Sequence, residues 1–460
     1  MIRRIDASFG ADRRCVLLVA ALAVLVWIGA SSASSAEADP AIEHWIGTWA
    51  TAPQPAIPSR VQTFRNQTVR LIVHVSAGGK KMRVKISNTY GDQPLLIGAA
   101  HLARRVNGAD IDAASDRKLT FGQQGSTRVG SGAMAVSDPV ELDVPPLSDL
   151  AISLFFPEAT AATTSHTLTM QTNYISPETG DSTAAAKFPV DKTIGSWPFL
   201  TGVDVTASPG GAAIVAFGSS TTDGDGSTED TNHRWPDVLA ERLQQEANGK
   251  AEQGVLNEGI IGNRLLSDVH SPGQRGGPFE ETLMRYGNGL GDAGVARFER
   301  DVLDQAGAKF VVLVLGINDI LFPGAFIPAS ESVSAEQVIA GNRQLIERAH
   351  KKGIRVIETT IPPFEDATFQ QPVIKFSTPE KEAVRQQVNA WIRGSHEFEG
   401  VIDFDEVLRD PGHPARLLPK YDAGDHLHAN DAGYIASGNA VSLALFRALE
   451  KSKGEKRRNP

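Results

Sequence analysis

Ser219, Ser220 and Thr221 follow an apolar run, Ala212 to Phe217, that breaks at Gly218. Hydroxyls just past the carboxyl end of a buried strand stand where α/β sheets bind ligands. Far downstream, in YDAGDHLHAND, Asp425 stands three residues before His428, near enough to reach one ring nitrogen around a single turn. A serine hydroxyl is a weak nucleophile. A neutral histidine must take its proton, and a carboxylate must hold the tautomer and steady the imidazolium. The oxyanion made by such an attack needs donors set in place beforehand. Gly262 in NEGIIGN offers a backbone N–H with no Cβ in the way, Asn318 in LGIND offers a side-chain amide, and Ser220 offers its own N–H. These residue types together meet the needs of acyl transfer, with Ser220 as nucleophile, His428 as base and Asp425 as its partner.

Other readings use the same residues. The Ser-Ser-Thr turn also suits a helix cap. His426 adjoins Asp425 and rivals His428 as base, although the Asp-x-x-His spacing favours His428. Asp425, His426, His428 and Asp431 are all metal-ligand types, but no cluster of the His-Glu-x-x-His sort accompanies them. Asp223, Asp225 and Asp230 have the outline of a calcium loop, yet Arg234 occupies the twelfth position, where a bidentate Glu is required, so the stretch reads as a solvated loop. The expectation is a site without metal or cofactor. An unperturbed His428 base predicts kcat/KM rising through about pH 6.5.

The elements that must position these residues can be read from the pattern. Strands are expected at Ala212–Phe217, Gly254–Asn257, Phe310–Leu315, Arg355–Thr360 and Val401–Asp405. Between them lie helices such as Ser334–Lys352, with a capping box from Ser334 to Gln337, one starting at Thr378 with Pro379 in its first turn, and one over Asn430–Leu449. Strands alternating with helices predict a doubly wound parallel sheet, a three-layer α/β/α sandwich. In it Ser220, Gly262, Asn318 and the Asp425–His428 pair share one sheet edge. The apolar loop Ile320–Ile327 is expected to wall an acyl pocket or to pack against the N-terminal half. The glycine-rich segment Leu265–Gly294, entering beside Gly262, is expected to shape or cover the site.

From Gly211 to Leu449 the chain resembles the SGNH hydrolases, also called GDSL esterases and lipases. The resemblance rests on four motifs in order: Ser220, Gly262, Asn318, and Asp425 with His428. It implies a serine nucleophile, the Asp-His pair, and an oxyanion hole from Ser220, Gly262 and Asn318. GTWATAP at Gly47–Pro53, GNRLL at Gly262–Leu266 and RFERDVL at Arg297–Leu303 are similar to a secreted branch of arylesterases and acylhydrolases, in which a β-rich domain precedes the catalytic one. Ser219 stands where the family usually has Asp. If it substitutes for that carboxylate, Ser219→Asp is expected to raise kcat.

Before this region, from about Trp45 to Leu200, short runs alternate apolar and polar residues, as in Val69, Leu71, Val73 and Val75 between Arg70, Ile72 and His74. Such runs, split by Gly, Pro, Asp and Ser turns, predict an antiparallel β-sandwich of jelly-roll or related topology. Trp45, Trp49 and Tyr90 suit core positions or sugar stacking. The expected division is a β-domain over 43–203, a boundary at Ser208–Gly211 and the hydrolase over 208–450.

At 460 residues, 41% hydrophobic and 22% charged, the composition is that of a folded, enzyme-sized protein. Arg3, Arg4, Arg13 and Arg14 precede an apolar run from Cys15 to Ala30, and small residues lead to Ala36, so residues 1–36 read as a cleavable export signal. Its removal takes the formal charge from −9 to −11 and removes Cys15, the single cysteine. The expected mature chain has no disulfide, no thiolate and no membrane span, and its acidity argues against nucleic acid as partner. Residues 451–460 read as a basic, frayed tail. The expected activity is hydrolysis of a small-molecule or polysaccharide ester. The rivals are a lipase or phospholipase acting on longer chains, and a glycan-binding protein with a decayed site.

Overall fold

The computed structural model describes residues 43–57, 61–269, 287–369 and 374–447. The expected signal, 1–36, and tail, 451–460, lie outside the described residues.

Up to Ala207 the described residues form strands, with only a single 3-10 turn, Ala113–Ser115, as the missing helical period predicts. They build an antiparallel sandwich. One sheet runs from His44–Ala50 through Leu200–Ala207 to Gly79–Ser87. The other centres on Ser148–Phe156 between Gln67–Val75 and Ala99–Asn107. Val69, Leu71, Val73 and Val75 enter the core between the sheets beside Val84, Ile86, Ile152 and Leu154, on the period of two that a pleated strand imposes. The opposite face departs from simple alternation, because Arg70 and Ile72 are buried as well. Loops cover Arg70, and its guanidinium donates to Ser153 Oγ and to the carbonyls of Ala109, Thr183 and Ala185. A charge so supplied with partners tolerates burial. Trp49 packs edge-on against Trp197, with ring centroids 4.9 Å apart, a core role and not a sugar platform.

The composition break at Ser208–Gly211 is a tight turn, closed by the Gly211 N–H on Ser208 O at 2.9 Å. Five strands follow: Ala212–Gly218, Gln253–Gly259, Ala308–Val314, Arg355–Thr359 and Gly400–Ile402. They pair in parallel in the spatial order second, first, third, fourth, fifth. Alternate residues of the first strand enter different cores. Ala213, Val215 and Phe217 meet Val338, Leu345 and Val388 on one face, while Ile214 and Ala216 meet Trp235, Leu239 and Tyr434 on the other. Burial on both sides is why this strand reads as an unbroken apolar run.

Helix ends follow the capping chemistry. Ala335–Lys351 starts with the reciprocal Ser334–Gln337 box, and Pro379–Gly394 starts with Thr378 accepting the Lys381 N–H. Such caps are each worth about 1 kcal/mol. The last long helix stops earlier than expected, at Ala440. Arg242 satisfies that end from a neighbouring helix: its Nη1 donates to the carbonyls of Gly438 and Val441, each at 2.7 Å.

From Glu43 onward the two parts cluster as one unit. The second strand is a sheet edge, and the sandwich covers it. Its Val255 N–H donates to Ser76 Oγ at 2.8 Å, and Gly254 lies so close to Gly47 that a Cβ there would stand 1.8 Å from the Gly47 carbonyl oxygen. An exposed row of unpaired strand groups is thereby avoided. The strand order reverses between the first and third strands, so their carboxyl ends flank the crevice in which open α/β sheets place a site.

Candidate active site

Ser220 opens a one-turn helix, Ser220–Asp223, directly beyond the first strand. Its Oγ lies 2.9 Å from His428 Nε2, although the two residues are 208 apart in sequence. His428 Nδ1 is 2.6 Å from Asp425 Oδ2. A carboxylate only accepts, so Nδ1 carries the proton and Nε2 is left to accept the Ser220 hydroxyl. The other Asp425 oxygen accepts the backbone N–H groups of Leu427 at 2.9 Å and His428 at 2.8 Å, which fixes the carboxylate before it meets the ring. Burial alone would raise the Asp425 pKa. The His428 bond and charge and these N–H groups reverse the effect and bring it down to about 2. Burial likewise works against a charged His428, but Asp425 and then Asp225 outweigh it and hold its pKa above the ordinary 6.5. The sequence-based expectation of an unperturbed base is therefore corrected upward.

Gly262 and Asn318 line the same cavity as Ser220 and His428. Gly262 has φ +71°, a backbone conformation that side chains rarely adopt, and a Cβ there would press on Leu290 Cδ2 at 2.8 Å. Asn318 lies in the one-turn helix Ile317–Leu321 beyond the third strand. One N–H of its amide donates to Asn263 O at 2.9 Å, which sets the amide plane and leaves a second N–H for the cavity. The cavity holds about 70 Å³, and its wall is mostly apolar: Ile261, Leu290, Phe322, Phe326, Phe369 and Phe376. Of the Ile320–Ile327 loop, Phe322 and Phe326 form this wall, their rings 5.0 Å apart. Of the glycine-rich segment, Val269 and Leu290 contribute, while 270–286 lie outside the described residues.

A hydroxyl bonded to an imidazole, a carboxylate behind that ring and amide donors beside an apolar cavity together suit acyl transfer. The sequence model of the GDSL-like lipase/acylhydrolase family matches residues 214–441. Those residues are a GDSL-type lipase/acylhydrolase domain. It is an ester-hydrolase domain. No curated protein matches the chain. Solved structures similar to it include an aryl esterase from M. smegmatis at 17% identity, covering 52% of this chain and 99% of that one with a TM-score of 0.36. A carbohydrate acetylesterase from Sinorhizobium meliloti is similar at 14% identity, with coverage of 52% and 99% and a TM-score of 0.35. A GDSL-like lipase from Bacteroides thetaiotaomicron is similar at 18%, with coverage of 52% and 89% and a TM-score of 0.34.

The GDSL domain separates the rival residues. His426 has φ +62° and turns outward, its Nδ1 on Asp422 Oδ2 at 2.5 Å. Asp431 pairs with His233 at 3.0 Å. Asp425 and His428 thus pair with each other while His426 and Asp431 turn to other partners, and among the described residues no group of three or more His, Cys, Asp or Glu is placed to hold an ion. The stretch read as a solvated loop proves structural. Asp223 is buried, Asp225 lines the cavity, and Asp230 bonds Gln171 and Thr172 of the sandwich.

Several residues that hold the GDSL site together carry no signal in the spacing of the reactive ones. Arg297 is fully buried under the strand ends. It donates to Gly218 O at 2.8 Å, Glu258 O at 2.9 Å and Asn263 Oδ1 at 3.0 Å, and pairs with Asp301 at 3.0 Å. The turns carrying Ser220 and Gly262 are thereby stapled to one guanidinium. Asp319, next to Asn318, accepts the Leu265 and Leu266 N–H groups at 2.7 and 3.0 Å. Arg297 lies in the RFERDVL run and Asp319 in LGIND beside Asn318, so each motif also carries a scaffolding residue.

Proposed function

We propose that this chain is an exported serine esterase that hydrolyses short- to medium-chain acyl or aryl esters through Ser220, His428 and Asp425. The observation that carries the reading is the bonded row Ser220–His428–Asp425 opening on a cavity walled by four phenylalanines. Ser220 Oγ attacks the ester carbonyl while its proton passes to His428 Nε2, and Asp425 steadies the imidazolium. The oxyanion is held by the Ser220 and Gly262 N–H groups and the Asn318 amide. His428 returns the proton to the departing alcohol, leaving an acyl-Ser220. Water then gives a proton to His428 and attacks the acyl carbon, and the acid departs as Ser220 regains its proton.

The wall favours an apolar acid part over an acetylated polysaccharide. A cavity of about 70 Å³ is about half the roughly 150 Å³ that admits a benzene ring, so it suits a short acyl chain and not a long one. Rates on p-nitrophenyl esters are expected to rise from acetate to butyrate or hexanoate and to fall for laurate and beyond. A maximum at acetate with release from acetylated xylan argues for a carbohydrate deacetylase instead, and a steady rise with chain length argues for a lipase. Export rests on residues 1–36, and an N-terminus beginning after Ala36 in the secreted protein is the expected finding.

A further inference from the structure

His166 belongs to the sandwich half, in the short strand Thr164–His166, yet its ring is buried against the hydrolase half. Every group it bonds is an acceptor. Nδ1–H donates to Ala52 O at 2.9 Å, and Nε2–H donates to Asp223 Oδ1 at 2.9 Å and Leu168 O at 3.1 Å. A neutral imidazole has a single N–H, so oxygens on both nitrogens call for the doubly protonated ring. Burial opposes that charge, and Asp223 outweighs the opposition.

Asp223 is equally enclosed, and its second oxygen accepts the Ile261 N–H at 2.8 Å. Asp223 thus bridges the His166 ring and the Ile261 amide, one oxygen to each. Their position matters for chemistry. Asp223 ends the helical turn that Ser220 begins, and Ile261 immediately precedes Gly262. One carboxylate therefore joins the nucleophile turn to the glycine turn, and a cation from the other half of the molecule holds that carboxylate.

We infer that His166 is a positioning residue for ester hydrolysis: through Asp223 it fixes the Ile261–Gly262 turn at the distance from Ser220 that the oxyanion requires. The sandwich is then a part of the active-site frame and not only a covering for the sheet edge. This inference rests on the Ser220 mechanism above. Displacing a catalytic donor by a fraction of an ångström lowers the chemical step while leaving ground-state binding nearly intact.

The test is steady-state kinetics on p-nitrophenyl butyrate with His166→Gln, Asp223→Asn, the double variant and Ser220→Ala, each beside its urea unfolding curve. Each single variant is expected to lower kcat by about 10- to 100-fold with KM within about twofold. The double variant is expected to be no slower than the slower single one, because both remove the same link. Unchanged kcat in His166→Gln, a loss no larger than its unfolded fraction, or losses that multiply in the double variant would each overturn the inference. If His166→Gln does not fold, Asp223→Asn decides alone, and kcat within twofold of wild type overturns it. An inactive Ser220→Ala beside a fully active His166→Gln rejects only this inference, whereas an active Ser220→Ala rejects the mechanism beneath it.

Discussion

Asp225 Oδ2 stands 3.7 Å from His428 Nε2, the same ring nitrogen that faces Ser220 Oγ at 2.9 Å. The His428 ring thus has a carboxylate on each side, Asp425 bonded at Nδ1 and Asp225 unbonded near Nε2. Both favour the imidazolium, and His428 acts as base only when neutral. The rise of kcat/KM with pH is therefore expected above 6.5, the ordinary histidine value. Asp225→Asn removes one of the two charges and is expected to move that rise to lower pH. An unmoved profile would show that Asp225 does not act on the base.

Asn318→Ala tests the oxyanion donor. Loss of one such donor costs about 2.7 to 4 kcal/mol, so kcat is expected to fall by about 100- to 1000-fold with the fold retained. A raised KM at constant kcat would assign Asn318 to substrate binding alone.

Arg297 tests the frame beneath the site. Arg297→Ala leaves Asp301 buried with Arg300 as its remaining partner and removes a charged donor from the Gly218 and Glu258 carbonyls. Hydrogen bonds made by a charged group are worth about 1.5 to 3 kcal/mol each, so a clear loss of stability is expected. A urea midpoint close to that of wild type would contradict the stapling role.

Legibility in the sequence followed the range of the interaction. The five parallel strands could be read because each is an apolar run closed by small or polar residues, and the Ser334 and Thr378 caps because capping chemistry spans three residues. Ser220, Gly262, Asn318, Asp425 and His428 could be singled out because acyl transfer restricts the residue types so tightly. His166 could not: its partner Asp223 lies 57 residues away, and nothing local marks either as paired. The donor that satisfies the helix end at Ala440 escaped for the same reason, because Arg242 supplies it from 196 residues upstream.

Ser219, which stands where the family usually has Asp, gives a further prediction. It is fully buried, and its Oγ has no hydrogen-bond partner. An aspartate placed there would be a buried carboxylate without a donor, which is destabilising. Ser219→Asp is thus expected to lower the urea midpoint without the gain in kcat that motif restoration suggests. Ser219→Ala removes only an unpaired hydroxyl and is expected to be neutral or slightly stabilising. A more active and equally stable Ser219→Asp would mean that the turn finds a donor absent from this arrangement.

The nucleophile itself is open to the most direct test. His428 Nε2 bonds Ser220 Oγ, and Ser219 Oγ is enclosed without a partner, so one serine of the adjacent pair should react. Labelling the folded, active protein with a fluorophosphonate and mapping its peptides is expected to give a single adduct on Ser220, abolished in Ser220→Ala and retained in Ser219→Ala. An adduct on Ser219, or no adduct on either serine while esterase activity persists, would contradict the mechanism.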